Sequence, residues 1–186
     1  MTLASKHLTT TELEAGLGEI GRSPKDSGVL EMIVRRPQVG EREILQEGQL
    51  DLAQGLVGDS WSTRGSGRTP NPETQLTVMN ARVAALVSQD KGRWHLAGDQ
   101  LYVDLDLSED NLPAGTQLRI GSAVIEVTAL PHTGCAKFVE RFGVDAMKFV
   151  NASEQKVMQL RGINARVVRP GVIRVGDSAK KLSGGS

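Results

Sequence analysis

Residues 116–130 read TQLRIGSAVIEVTAL, two short alternating runs separated by a Gly-Ser step. A Gly-bearing turn between runs of period two marks a β-hairpin. Similar runs lie on either side. Upstream are VLEMIVRR (29–36), REILQEGQLDL (42–52), QLTVMN (75–80) and QLYVDLDL (100–107). Downstream are INARVVRP (163–170) and VIRVGD (172–177), which with the intervening Arg-Pro-Gly read as a second hairpin. In 29–36 the alternation places Leu30, Met32 and Val34 on one side and Glu31, Ile33 and Arg35 on the other. The run 42–52 is expected to break near Gly48. Many short strands between glycine turns predict a mainly β protein, a barrel or a sandwich.

Two helical stretches interrupt the strands. ARVAALVSQ (81–89) follows Asn80, a good N-cap, and the segment 135–160 places Phe138 and Phe142 one helical turn apart. Helices packed on the mouth of a barrel have this pattern. The first nine residues read as a disordered start. Thr10 or Thr11 then caps a short helix bearing Leu13, Leu17 and Ile20, weakened by Gly16 and Gly18, and GRSPKDSG (21–28) reads as a linker. Residues 1–27 are therefore expected to form an appendage, 28–182 the domain, and 183–186 a flexible tail.

Composition narrows the function. The 186 residues carry 22 basic and 22 acidic side chains and six aromatics, Trp61, Trp94, Tyr102, Phe138, Phe142 and Phe149. Neither a basic excess nor a stacking platform is present, so nucleic acid is not an expected partner. The single cysteine, Cys135, excludes an internal disulfide, and His7, His95 and His132 lie too far apart in sequence for a spaced metal-binding pair. No stretch is apolar enough to span a membrane, and the polar N-terminus does not read as a signal peptide. A cytoplasmic address is expected.

Two places attract chemistry. The loop GDSWSTRGSGRTPNPETQ (58–75) has no periodicity and collects Arg64, Arg68, Gly65, Gly67 and the hydroxyls of Ser60, Ser62, Thr63, Ser66 and Thr69. Such a loop reads as an anion cradle or as a solvated flexible loop, and composition leaves both open. Cys135 lies in LPHTGCAKF where a strand gives way to a helical stretch, with His132, Lys137 and Arg141 nearby in sequence. The positive end of a helix favours a thiolate that binds a soft metal, carries a persulfide or attacks an electrophile; a lone cysteine also serves as a small buried hydrophobe. Asp59 and Asp177 each follow Val-Gly and read as turn residues bonding backbone amides. His132 reads as a ligand-orienting group or a structural hydrogen-bonder, and Arg161 as a phosphate holder or a salt bridge. No nucleophile elbow, Walker loop or dinucleotide fingerprint occurs.

The succession GLVGD (55–59), LAGDQLYVDLDL (96–107), LPAGTQLRIGSAVIEVT (112–128), PHTGC (131–135) and RGINARVVRPGVIRVGD (161–177) resembles the MOSC domain, the module found at the C-terminus of molybdenum cofactor sulfurases and as small stand-alone bacterial proteins. The resemblance covers about residues 28–182 and implies a mainly β barrel with accessory helices, like the barrel domain of pyruvate kinase. It implies a molybdenum cofactor (molybdopterin) site in which Cys135 is catalytic, as molybdenum ligand or sulfur carrier. Asp59, Arg64, Arg68, His132 and Arg161 would be cofactor-binding, the three arginines holding the pterin's terminal phosphate. Redox or sulfur-transfer chemistry would follow, with a non-catalytic sulfur or cofactor carrier as the alternative. The expected partners are a small-molecule cofactor or substrate, and a cysteine desulfurase or electron-donor protein. The chain has no room for a desulfurase domain, so pyridoxal phosphate would come only on a partner. Two departures from the family pattern stand out: His132-Thr133-Gly134 where relatives carry an Arg shortly before Pro-Cys, and Ser60-Trp61 where relatives place a basic residue after Gly-Asp.

Overall fold

The computed structural model describes residues 6–65 and 67–184, so the expectations for residues 1–5, Ser66 and the last two residues fall outside it. Eleven strands form among the described residues: β1 (Ser27–Arg35), β2 (Glu43–Leu45), β3 (Glu47–Asp51), β4 (Gly55–Leu56), β5 (Leu76–Asn80), β6 (Leu101–Asp104), β7 (Gln117–Ile120), β8 (Ala123–Pro131), β9 (Ile163–Arg169), β10 (Gly171–Arg174) and β11 (Ser178–Lys181). The helices are α1 (Thr10–Glu14), α2 (Leu17–Gly21), α3 (Ala81–Ser88), α4 (Ala136–Phe142) and α5 (Val144–Asn151), with four short 3-10 helices between them.

Seven strands close into a barrel in the order β1, β11, β7, β8, β9, β5, β6 and back to β1. β11 pairs with the first residues of β1, and β2 takes over the same edge from Ile33 onward. Closure leaves no free edge around most of the ring, which removes the pairing hazard of an open sheet. The connection from β5 through α3 to β6 is a parallel crossover, and the remaining barrel pairs are antiparallel. β10, β3 and β4 form a separate small sheet whose Leu50, Leu56 and Ile173 enter the barrel core.

The hairpin at 116–130 forms as β7 and β8, with Leu118 opposite Ile125. The second expected hairpin does not. β9 pairs with β8 and β5, whereas β10 leaves the barrel to pair with β3. The Pro170-Gly171 step turns the chain between two sheets, and Gly171 lies so close to Ser122 that a side chain has no space there. β11, not foreseen in the sequence, closes the ring; its alternation is nearly invisible in Ser-Ala-Lys-Lys because only Ala179 points inward. The break in 42–52 falls at Gln46, and Gly48 sits inside β3 opposite Ile173.

β1 departs from simple alternation. Leu30 and Ile33 both point into the barrel core, while Met32 and Val34 join the outer cluster under the helices. A register shift between Leu30 and Met32 inserts Glu31 as an extra residue and moves Ile33 inward.

The outer cluster explains the helices. Met79 and Tyr102 project outward from β5 and β6 and are covered by Val83 and Val87 of α3 and by Phe138, Phe142 and Phe149 of α4 and α5. The Phe138 and Phe142 rings lie 4.9 Å apart. Leu13 and Ile20 of α1 and α2 are buried in the same cluster. The first helix is capped by Thr9, whose side chain and Glu12 form a capping box, and the helical stretch is broken at Gly16, where a Cβ would strike Leu86. Residues 6–9, read as a disordered start, are held against the domain: the Lys6 carbonyl accepts from Gln89 and Leu8 packs on the outer cluster. No helix among the described residues is long and apolar enough to cross a membrane.

Candidate functional site

The site is built around one turn, Leu96-Ala97-Gly98-Asp99-Gln100, which links a 3-10 helix (Lys91–Ala97) to β6. Gly98 has φ of 91° and ends that helix in the left-handed region, where glycine carries no Cβ penalty. Three successive carbonyls are then each taken by an arginine from a different part of the chain. Arg141 donates to Leu96 at 2.7 Å, Arg161 to Ala97 at 2.9 Å and Arg36 to Gly98 at 3.0 Å.

Asp99 is fully buried and accepts from Arg161 Nη1 at 2.6 Å and from His132 Nε2 at 2.9 Å. Burial pushes its carboxyl up, but Arg161 and His132 outweigh burial and hold the pKa at about 2. Arg161 lies over the Phe138 ring, 5.2 Å from its centroid, and its Nε is buried without a partner among the described residues.

Gln100 joins this ionic hub to a second one. Its Oε1 accepts from the Thr77 amide and hydroxyl, and its Nε2 donates to Asp59 at 3.4 Å. Asp59 is enclosed by Arg36, which donates through its backbone amide, Nε and Nη2 at 2.9, 3.0 and 2.9 Å. Asp59 also accepts from the Trp61 amide, opening the 3-10 helix Ser60–Thr63, as its reading as a turn residue anticipates. Burial pushes Asp59 up, but the Arg36 bonds and charge hold it below the usual carboxylate range.

Beside Gly98 lies a group of cations. The guanidiniums of Arg42 and Arg141 lie beside Gly98, 3.7 Å and 4.0 Å from the point a Cβ would occupy, which is ordinary contact distance, so it is the positive φ that calls for glycine there. Burial, then Arg141 and Arg36, lower the Arg42 pKa; burial, then Arg36, lower that of Arg64. His95 is shifted down by burial and by Arg42. Arg42 Nε and His95 Nδ1 are buried with no partner among the described residues. Neighbouring guanidiniums that disfavour one another's charge, with the Arg42 Nε–H unused, form a ready site for an anion.

Cys135 is the N-cap of α4, makes no side-chain cap bond and is exposed. The preceding Gly134 is clamped by Asn151, which accepts from its amide at 2.8 Å and donates to its carbonyl at 3.3 Å. Arg141 lies six residues further along α4, so helix rise separates it from Cys135 by about 9 Å. A cavity of about 360 Å³ flanks the His132–Thr133 segment, lined also by Leu130, Val150, Asn151 and Arg161.

The structure thus joins His132 to Arg161 through Asp99, places Asp59 on Arg36, and sets Arg64 at the edge of the cation group, its Nε donating to Ser60. Arg68 stays exposed on the loop after Gly67. That loop is partly ordered, with 3-10 helices Ser60–Thr63 and Pro72–Thr74 tied by Trp61 Nε1 to Thr74 Oγ1. Sequence reasoning passed over Arg36, Arg42, Asp99 and Gln100 as site residues. The signal for Asp99 lay in LAGD, the same Gly-Asp pattern that marked Asp59; the arginines carry no local signature. No cluster of three or more metal-ligating side chains occurs among the described residues.

Comparisons with known proteins agree with this architecture. A MOSC domain profile matches residues 69–180. The YuaD protein of Bacillus subtilis has a similar structure, with a TM-score of 0.57 at 15% identity, covering 83% of this chain and 95% of its own. YiiM from Escherichia coli gives 0.55 at 21% identity over 85% of this chain and 71% of its own. YiiM from Geobacillus stearothermophilus gives 0.52 at 14% identity over 87% and 75%. No curated protein sequence matches the chain. These structures share the fold, and the profile spans more than half of the sequence: the protein belongs to the MOSC domain family.

Proposed function

We propose that this protein binds the molybdenum cofactor, with Cys135 as the sulfur ligand of the metal. One observation carries the reading: α4 bears the exposed Cys135 at its start and Arg141 at its end, beside Arg42, whose buried Nε has no partner. The donor set fits the group. A thiolate is a soft anionic ligand suited to a metal that already has sulfur donors, and unused guanidinium N–H groups suit a terminal phosphate. When bound, the cofactor supplies a redox-active metal centre with sulfur ligands.

The residues of the chain divide the work. Arg42 and Arg141, which meet beside Gly98, would hold the phosphate, with Arg64 at the edge. Arg161 is committed to Asp99 and Ala97, so in this reading it shapes the site instead of gripping phosphate. Asn151 fixes the backbone of Gly134 and so sets the direction of the thiol beside it. The exposure of Cys135 also suits a second reading, a persulfide carrier serving a partner enzyme.

The test is to purify the full chain from cells making the cofactor and measure molybdenum and the fluorescence of the oxidised pterin. Wild type is expected to carry both, Arg42→Gln neither, and Cys135→Ser pterin with reduced metal. Unchanged molybdenum in Cys135→Ser, with cyanide-releasable sulfur on wild type alone, would select the carrier. Absence of pterin from wild type would overturn cofactor binding.

A further inference from the structure

Cys135 begins a stretch of chain that closes on itself. From Cys135, α4 runs to Phe142, Gly143 joins the two helices, and α5 brings Asn151 back beside Gly134. There Asn151 accepts from the Gly134 amide at 2.8 Å and donates to its carbonyl at 3.3 Å. Met147 and Val150 of α5 stand 3.3 and 3.4 Å from the point where a Gly134 Cβ would lie. The two helices form a clasp, closed beside the thiol and hinged at Gly143. The hinge has φ of 94° and ψ of 163°, a region that glycine alone occupies readily. Its angle is therefore set at a residue with no side chain of its own to hold it.

The start of the chain supplies what the hinge lacks. The His7 ring lies over buried Gly143, so that a Cβ there would come 2.8 Å from Nδ1 and 2.9 Å from Cγ. Three residues on, the Thr10 amide donates at 3.2 Å to Oδ2 of Asp145, in the first turn of α5. Thr10 is the first residue of α1, where an amide has no acceptor within its own helix. The segment is anchored on both sides of these contacts. The Lys6 carbonyl accepts from Gln89 at 2.6 Å, and Leu13 is buried in the cluster that holds Phe142 and Phe149.

We infer that His7 and Thr10 are positioning residues for Cys135: they set the angle at Gly143, and α5 passes that setting through Asn151 to the backbone beside the thiol. The lever is long enough. At its helical rise α5 measures about 12 Å, so a tilt of about 10° at the hinge moves Asn151 by about 2 Å and breaks both bonds to Gly134. Both residues precede the stretch 69–180 matched by the family profile, so the N-terminal segment contributes to the site from outside it. The inference builds on Cys135 as the functional thiol and needs no bound group.

The test uses the isotope-labelled full chain free of cofactor. Thr10→Pro removes the amide donor alone, because proline suits the first position of a helix and Thr9 before it is already extended, with φ of −75° and ψ of 162°. His7→Gly removes the ring, and His7→Phe restores one. In Thr10→Pro and His7→Gly the Gly134 amide and the Asn151 side-chain amide should shift, and Cys135 should react with a disulfide reagent at a changed rate. The Gly134 amide should exchange with solvent roughly tenfold faster, while the amides of β7 and β8 keep their wild-type protection. His7→Phe should return the Gly134 signal to near its wild-type position. Unmoved Gly134 and Asn151 signals in both variants, an equal loss of protection in β7 and β8, or a His7→Phe protein that behaves like His7→Gly would overturn the inference. A wild type found without pterin would overturn cofactor binding and leave these readouts unchanged.

Discussion

Arg36 grips Asp59 through both carboxylate oxygens, Nε to Oδ1 at 3.0 Å and Nη2 to Oδ2 at 2.9 Å, with neither side chain more than 9% exposed. Two residues 23 positions apart thereby tie the end of β1 to the loop that follows β4. The same arginine caps the Gly98 carbonyl, so the pair also positions the turn on which the site is built.

Replacing one partner of this pair leaves the other charge buried and unmatched. Asp59→Asn should destabilise the protein by about 3 to 5 kcal/mol, as for other broken buried pairs. Chemical denaturation, read as a lower midpoint at constant slope, checks this. A midpoint unchanged from wild type would mean that Arg36 finds another acceptor.

Asp99 makes stability depend on acid. Its pKa is held at about 2 in the folded protein against a reference value of 3.8. Its stabilising contribution is therefore present above pH 4 and is lost as pH falls from about 4 to 2. The shift corresponds to about 2 kcal/mol. Unfolding free energies measured between pH 6 and pH 2 should show this loss in wild type and a shallower acid limb in Asp99→Asn.

Arg42 works against the stability of the protein without a ligand. Burial and the neighbouring Arg141 and Arg36 disfavour its charge, and solvent at its exposed end screens part of the repulsion. Arg42→Gln should raise stability by about 1 kcal/mol or less, roughly 2–4 °C in melting temperature at most. Inorganic phosphate should raise the melting temperature of wild type more than that of the variant. A lower melting temperature for Arg42→Gln would refute the stored repulsion.

Cys135 should react in the folded protein. It is exposed and its side chain makes no cap bond, so a disulfide reagent should titrate one thiol per chain without denaturant. Reaction only after unfolding would count against its place in any site.

Gly162 follows Arg161 with φ of 120°, and a Cβ there would run into the Val78 carbonyl and lie 3.3 Å from the His132 ring. Gly162→Ala should cost about 2 to 4 kcal/mol through backbone strain and overpacking. Its denaturation midpoint should fall accordingly, and the His132 ring signals should move with it.

The sequence by itself determined the strands that alternate strongly, the β7–β8 hairpin, the Asn80 cap of α3 and the start of α4 at Cys135, because each rests on local periodicity, capping or turn chemistry. Order and spacing of the Gly-Asp, Cys and Arg-Gly pieces also sufficed for the family. Tertiary structure alone decided the rest. The Glu31 bulge, the departure of β10 to the small sheet and closure by β11 depend on which distant strand offers unpaired backbone groups. The site depends on distance even more. Arg36 carries no local mark in the sequence, and nothing local shows that Arg36, Arg141 and Arg161 meet on three adjacent carbonyls, Arg36 and Arg161 drawn there by the buried Asp59 and Asp99. A charge is placed by what it neutralises, and its partner here lies between 23 and 62 residues away along the chain.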